Sequence, residues 1–112
     1  MIDFACESIK LEDLIRCSFQ ISRTDCRVLK KLLDSEKGTK EISKEMGLDR
    51  STIHKSVTKL MDKELLERRQ YNLASGGYRY VYISKEKEEI KNRLENLIDR
   101  WSSSAKEAIE NW

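Results

Sequence analysis

The segment from Thr39 to Ile83 constrains the fold of this chain more than any other feature of its sequence. It reads in order as a short helix with a polar start, a turn that contains Gly47, a basic amphipathic helix, and a hairpin rich in tyrosine. Apolar residues recur at helical spacing in the first half of the segment and at strand spacing in the second half. This order predicts two crossed helices followed by a two-stranded antiparallel hairpin.

The boundaries within this segment follow from residues that cap helices and close turns. Thr39 and Asp49 are each predicted to cap a helix, because their side-chain oxygens can accept from free backbone N–H groups. The tip at 72–77 contains Ser75-Gly76-Gly77, which permits positive φ angles and closes a hairpin. The predicted elements are helices over 40–46 and 50–63 and strands over 65–71 and 78–83.

Three further helices are predicted outside this segment. The second helix of the chain is expected to start near Ser22 or Thr24, with Asp25 in its first turn, and to run to about Glu36. Gly38 is expected to end it as a left-handed residue. The other two helices are predicted within 7–18 and, capped by Ser84, from there to near 112.

The last predicted helix carries an apolar stripe that steps by three or four residues along about 40 Å of helix, at 1.5 Å per residue. A small central domain cannot cover a stripe of this length, so we predict a homodimer; the alternative is that the helix folds back on its own domain. The predicted dimer interface consists of Leu11, Ile90, Leu94, Leu97, Trp101, Ala105 and Ala108, and the stripe continues to Trp112.

These elements together predict a fold that is mainly α with a small β-hairpin (α+β). We divide it into an N-terminal helix that contributes to the dimer (1–22), a winged helix-turn-helix domain (23–83) and a C-terminal dimerisation helix (84–112). The composition agrees, since the 112 residues include no proline and four glycines. No apolar run approaches the roughly 20 residues that span a bilayer, and no signal peptide is evident, so we expect a cytoplasmic protein with no membrane partner.

Positive charge is concentrated in the central part of the chain. Residues 23–83 carry a net charge of +5, against −2 for residues 1–22 and −1 for residues 84–112. A surface that binds phosphates requires such an excess of bases. The charge distribution therefore agrees with a helix-turn-helix whose second helix enters the major groove of DNA.

The second helix of the pair offers side chains that can read DNA. Ile53, Val57 and Leu60 share one face, so the other face points outward. Its hydroxyl and cationic side chains can hydrogen-bond base edges or pair with phosphates, and arginines on the hairpin lie near the surface that a wing lays along the sugar-phosphate backbone. The predicted DNA-binding residues are Arg50, Ser51, Thr52, His54, Lys55, Thr58 and Lys59 on the helix and Arg68, Arg69 and Arg79 on the hairpin.

The tyrosines of the hairpin admit two interpretations. Tyr78, Tyr80 and Tyr82 alternate with residues that include Val81 and Ile83, as expected for a strand. We expect Val81 and Ile83 to pack on the helices. The tyrosines are expected to fill a dimer or domain contact, with stacking on nucleobases as the alternative.

Two stretches of the sequence resemble a known family. The runs "TKEISKEMGLDRSTIHKSVTKLMDKELLERR" and "GGYRYVYIS" resemble the archaeal winged-helix transcription regulators of the TrmB and MarR-like type, and "IRCSFQISRTDCRVLKKLL" is similar to the segment that enters their winged domain. The resemblance implies a dimer that binds pseudo-palindromic double-stranded DNA, with recognition-helix positions at Arg50, Ser51, Thr52, Lys55 and Lys59. The chain stops before the sugar-binding domain that TrmB proteins usually add, so no sugar effector is expected.

The cysteines and the single histidine form no recognisable catalytic or metal site. Cys6, Cys17 and Cys26 lack CxxC spacing, and we expect free, buried thiols; a redox switch or a cluster ligand set is the alternative. His54 is the only histidine, and neither a G-x-G-x-x-G run nor a P-loop is present, so we expect no enzyme and no cofactor. The competing function is a winged-helix module that binds proteins in a transcription assembly, because Lys, Ser and Thr are also ordinary surface residues.

Overall fold

The computed structural model describes residues 9–112, which form five α-helices and one β-hairpin. This architecture confirms the predicted fold class of mainly α with a small hairpin. The crossed helices and the hairpin follow each other in the expected order, and a long helix closes the chain. The elements are α1 (Leu11–Phe19), α2 (Arg23–Asp34), α3 (Thr39–Met46), α4 (Arg50–Asp62), β1 (Leu66–Asn72), β2 (Tyr78–Ser84) and α5 (Lys87–Glu110).

The hydrophobic core lies where α2, α3 and α4 meet the base of the hairpin. The apolar stripes of these helices face one another, as their sequence periodicity predicts. Leu66 and Tyr82 close the core from the hairpin, and Phe19 and Ile21 close it from the junction of α1 and α2. The side chains fully buried at its centre are Val28, Leu29, Leu32, Ile42, Ile53, Val57, Leu60 and Leu65.

Helix α2 begins with a reciprocal capping box. The Asp25 amide donates to Ser22 Oγ at 3.0 Å, and the Ser22 amide donates to Asp25 Oδ2 at 3.0 Å. Two backbone donors that the helix itself cannot satisfy are thereby paired. The start predicted near Ser22 is confirmed.

The end of α2 differs from the prediction. The helix stops at Asp34, and Gly38 is not a left-handed residue but has a φ of −84° and is the N-cap of α3, so Thr39 is the first helical residue and not the cap. The reason is a backbone pairing: the Lys37 N–H donates to the Tyr82 carbonyl at 3.0 Å, and the Tyr82 N–H donates to the Lys37 carbonyl at 2.8 Å. The chain therefore leaves α2 extended and forms an isolated antiparallel bridge from Lys37 to Tyr82 of β2.

The turn between α3 and α4 depends on Gly47. This residue has a φ of 66° and is the C-cap of α3. Its N–H donates to the Ser43 carbonyl. Leu48 donates to the same carbonyl at 3.2 Å, and the Ser43 hydroxyl donates to the Leu48 carbonyl. Left-handed backbone at the C-terminus of a helix favours glycine, so the predicted turn is confirmed.

The register of the hairpin decides which side chains share a face. Leu66 lies opposite Ser84, Arg68 opposite Tyr82 and Asn72 opposite Tyr78. Because strand side chains alternate, every second residue of both strands belongs to the same face. Ser84 is thus the last residue of β2 and not the cap of α5 as predicted, since that helix starts at Lys87 after Glu86.

The first half of α5 is anchored to the domain. Ile90 and Leu94 lie in the core, and the Arg93 guanidinium donates to the carbonyls of Lys63 and Glu64 at 2.6 Å each. These carbonyls follow the last turn of α4, so α5 is fastened to the end of that helix. None of the helices within 9–112 has the length and apolarity needed to cross a membrane.

Candidate nucleic-acid interface

One side of α4 is open to solvent along its whole length. Ile53, Val57 and Leu60 are buried on the inner side, which confirms the predicted orientation of the helix. Thr52 is half-buried at the boundary between the two sides. The exposed residues of the outer side are Arg50, Ser51, His54, Lys55, Thr58, Lys59 and, at its C-terminal end, the acidic Asp62.

Lys59 differs from the other cations of this face. Its ammonium lies 3.2 Å from Asp25 Oδ2, with 45% of the side chain exposed. Arg50 and Lys55 have no carboxylate partner among residues 9–112. The face therefore presents two unpaired cations and one cation that is shared with α2.

Asp25 joins the start of α2 to the middle of α4. It is only 4% exposed, and besides the capping box it accepts a hydrogen bond of 2.6 Å from the Ser56 hydroxyl. Burial raises the pKa of Asp25, but the bonds from Ser56, Ser22 and Lys59 outweigh it and hold that pKa below its ordinary value. A charged carboxylate consequently locks α4 in place on α2.

The two faces of the hairpin carry different arginines. Arg68 shares its face with the tyrosines, and its guanidinium lies 4.2 Å from the centre of the Tyr80 ring. The Tyr78 and Tyr80 rings meet edge to face at 5.2 Å. A cation stacked on an aromatic ring is held in a defined position, so this face offers the preorganised guanidinium of Arg68.

Arg69 and Arg79 lie on the opposite face, with Val81. Arg69 pairs with Glu36 at 3.2 Å, and the Tyr71 hydroxyl donates to the same carboxylate at 2.9 Å. Arg79 is exposed and has no ion-pair partner in the described part of the chain. The three predicted arginines therefore do not form one surface.

The rest of β2 packs largely as its alternation predicts. Val81 is buried and Ile83 is half-buried. Tyr82 lies in the domain core, while Tyr80 is half-buried and Tyr78 exposed. The expected domain contact is thus made by one tyrosine out of three.

The apolar stripe of α5 divides into two halves. Ile90 and Leu94, which the sequence assigns to a dimer interface, are covered by the core of their own protomer, and Leu97 packs against its edge. Further along, Ala105 is half-buried and Ala108 is exposed. Two other members of the predicted interface are also exposed: Leu11 on α1 and Trp101.

The crossed helices and the hairpin lie in the part of the chain that matches a known protein family. The family described as "Sugar-specific transcriptional regulator TrmB" matches residues 15–86, which include the crossed helices and the hairpin. The chain belongs to the TrmB family. The family is one of transcription regulators, and the fold is that of winged-helix DNA-binding regulators.

Individual relatives agree with the TrmB assignment. A solved structure described as a possible transcriptional regulator from Methanosarcina mazei superposes with a TM-score of 0.85 at 37% identity, over 100% of this chain and 96% of that one. An uncharacterized protein of Methanocaldococcus jannaschii is 30% identical over 94% of this chain and 80% of its own length. Both source organisms are archaea, as the sequence resemblance implies.

The similarity of fold extends to a bacterial regulator. A structure from Enterococcus faecalis, described as a putative transcriptional regulator of the MarR family, superposes with a TM-score of 0.57 over 96% of this chain and 99% of that one. At 13% identity this likeness concerns the fold alone. It includes the long C-terminal helix, so the TrmB-family chain and the MarR-family protein share the whole architecture.

Sequence reasoning missed two acidic residues of this TrmB-family interface. Asp25 was assigned to a helix start, although the spacing Ser22-x-x-Asp25 is itself the signal of a capping box. Glu36 was placed at the end of α2, and nothing in its local sequence indicates that it holds Arg69 and Tyr71. Both carboxylates decide which of the predicted cations are paired.

Two of the three cysteines lie in the described residues. Both are free thiols; Cys26 is buried on α2 as expected, whereas Cys17 is exposed on α1, so the expected burial is wrong for Cys17. Burial, together with Glu12, raises the pKa of Cys26 above its ordinary value, which makes its thiolate scarce. Cys6 lies outside the described residues.

Proposed function

We propose that this TrmB-family protein is a homodimeric transcription regulator that recognises specific sites in double-stranded DNA. Helix α4 would lie in the major groove, with the residues of its outer side against base edges. The observation that carries the proposal is the division of this helix: three apolar residues are buried on one side, and every residue predicted to contact DNA except Thr52 is exposed on the other.

The cations on the outer side of α4 differ in whether they are already paired within the protein. Arg50 and Lys55 are exposed and have no ion-pair partner among residues 9–112, so no ion pair within the protein has to break before they meet phosphate or guanine. Lys59 would have to leave Asp25 to do the same. We therefore expect Arg50 and Lys55 to contribute more to affinity than Lys59.

The hairpin would act as a wing on the sugar-phosphate backbone. Arg68 is held by Tyr80, and Arg79 is exposed on the other face. The tip at 72–77 has no cation, and it turns through Gly76 and Gly77 at φ of 95° and 79°. Backbone contact by strand arginines is therefore favoured over insertion of a basic tip into the minor groove.

The outer half of α5 supports the dimer. The described chain measures 65 × 24 × 20 Å, and the apolar stripe continues beyond the part that the domain covers. Exposed apolar surface of this kind is costly in water and marks sites of association. A dimer would set two copies of α4 about one turn of DNA apart, roughly 34 Å, and would thus bind a pseudo-palindromic site.

The DNA-binding proposal is tested by selecting genomic fragments with the purified protein and measuring the affinity for the best one. We expect Lys55→Gln to weaken binding about tenfold and to lower the slope of log affinity against log salt by about one, since one phosphate contact is lost. Lys106→Gln, an exposed change on α5, is the control. If no fragment is preferred at physiological salt, sequence-specific recognition is refuted.

The dimer proposal is tested by Ala108→Glu. Ala108 is exposed in the protomer, so the change leaves the fold of one chain intact but puts a charge into an apolar contact. We expect the sedimentation coefficient to fall to that of a monomer. Ser103→Glu, exposed on the opposite side of α5 by helical periodicity, is the matched control. An unchanged sedimentation coefficient for Ala108→Glu would contradict the proposed interface.

A further inference from the structure

An open cleft of about 500 Å³ lies between α1 and α2, and none of the residues that line it belongs to α4 or to the hairpin. Five cations line it: Lys10 and Arg16 from the α1 side, and Arg23, Arg27 and Lys30 from α2. Its volume is in the range of pockets that hold small ligands, about 300–1,000 Å³. Such a concentration of positive charge in a 112-residue chain of net charge +2 needs a physical explanation.

The acids of the cleft do not balance its bases. Glu12 and Asp13 also line it, and Glu12 is paired with Lys30 at 3.5 Å. Arg16, Arg23 and Arg27 have no ion-pair partner among residues 9–112. The Nε of Arg16 is buried without a hydrogen-bond partner. That atom is shielded from solvent, so the charge of Arg16, and not this N–H, is what the cleft offers to an anion.

The cleft faces away from the recognition helix. Asp25 points from α2 toward α4. Arg23, Arg27 and Lys30 lie on the other side of α2, since each is between about 140° and 200° around the helix from Asp25 at 100° per residue. A DNA duplex held on α4 would therefore not reach these guanidinium groups, so the cleft needs an anion of its own.

We propose that the cleft between α1 and α2 binds a small phosphorylated metabolite. Guanidinium groups bind phosphate oxygens through paired hydrogen bonds, and several arginines that converge without carboxylate partners are suited to a group of charge −2 or more. Arg16 lines the cleft from α1, and Arg23 and Arg27, one helical turn apart, line it from α2. The site is independent of the DNA-binding proposal, because its residues lie outside the α4 surface.

Calorimetric titration of the full chain with inorganic pyrophosphate at physiological ionic strength tests this site. We expect saturable binding to the unmodified protein, and a loss of affinity of at least about tenfold in the double variant Arg23→Gln/Arg27→Gln, which removes two charge-assisted contacts. The control Arg100→Gln/Lys106→Gln removes the same charge from exposed positions on α5 and is expected to bind pyrophosphate unchanged. Far-ultraviolet circular dichroism checks that each variant is folded.

Three outcomes would overturn the proposal. Equal affinity for pyrophosphate in the cleft variant and the control would mean that the measured heat of binding comes from general charge screening and not from the cleft. Loss of pyrophosphate binding in Lys55→Gln instead would place the anion on the α4 surface. If the cleft variant binds pyrophosphate normally but changes the sedimentation coefficient or the affinity for DNA, the cleft is a contact for protein or for the DNA backbone.

Discussion

Helix α4 and the outer half of α5 carry the same kind of sequence signal and have opposite surroundings. Both have apolar residues at helical spacing. On α4 this stripe is completely buried, with Ile53 and Leu60 at 0% exposure, whereas on α5 the exposure rises from 6% at Ile90 and 8% at Leu94 to 60% at Trp101. Helical periodicity thus predicts that an apolar face will be covered. The rest of the fold decides whether the same chain or a second chain covers it.

The two regions also differ in how they are fastened. Asp25 holds the middle of α4 through Ser56 and Lys59, and Arg93 holds the carbonyls that follow its last turn. A helix that must present a fixed set of side chains to DNA benefits from such restraint, because ordering it on binding then costs little. The outer half of α5 has its uncovered stripe available for a second chain.

The largest expected effect comes from truncating the buried stripe. Leu60→Ala should lower the free energy of unfolding by about 2–5 kcal/mol, because it removes a fully buried side chain and leaves a cavity. Ile109→Ala, on exposed α5, should lower it by less than about 0.5 kcal/mol in the dissociated protomer. Urea unfolding at a protein concentration low enough to give monomers measures both. An equal loss of unfolding free energy in the two variants would mean that the apolar residues of α4 and of the outer half of α5 do not differ in burial.

An intermediate effect is expected from the carboxylate that holds α4. Asp25→Asn should lower the free energy of unfolding by about 1–3 kcal/mol, since a neutral amide cannot accept from Ser22, Ser56 and Lys59 as the carboxylate does. Asp99→Asn, an exposed change on α5, serves as the control and should have almost no effect. An Asp25→Asn protein as stable as the unmodified one would mean that the network does not hold the helix.

The same carboxylate makes the stability depend on pH. The pKa of Asp25 is lower in the folded protein than in the unfolded chain, so its contribution is fully present above the unfolded value, about 3.9, and is lost as the pH falls through the folded value. Asp25→Asn should remove this part of the acid dependence below about pH 4. Comparing the slopes of unfolding free energy against pH for the two proteins checks this, and equal slopes would refute it.

The sequence was most informative where the structure depends on local spacing. The inner face of α4, the left-handed turn at Gly47 and the positions of both strands were predicted, because helical periodicity, turn residues and alternation are properties of neighbouring residues. The outward orientation of Lys55 follows from the same periodicity. The fold class and the surface of the candidate site were therefore accessible from the sequence.

The sequence was least informative where distant segments meet. Gly38 and Ser84 were misassigned because the pairing of Lys37 with Tyr82 and the length of β2 depend on partners far along the chain. The ion pairs of Lys59 with Asp25 and of Arg69 with Glu36 join residues 33 or more positions apart. The tertiary structure thus decides whether a predicted cation is free to meet phosphate, and the local sequence pattern does not predict it.

The smallest effect is expected at the turn that sets the angle of α4. Gly47→Ala should lower the free energy of unfolding by about 1 kcal/mol, because alanine resists the left-handed backbone while an added Cβ at Gly47 meets no atom within 4 Å. Gly47→Asn is the matched test, since asparagine tolerates this conformation and should recover much of the loss. If alanine and asparagine cost the same, the turn does not depend on backbone conformation, and α4 owes its position to Asp25 and the core alone.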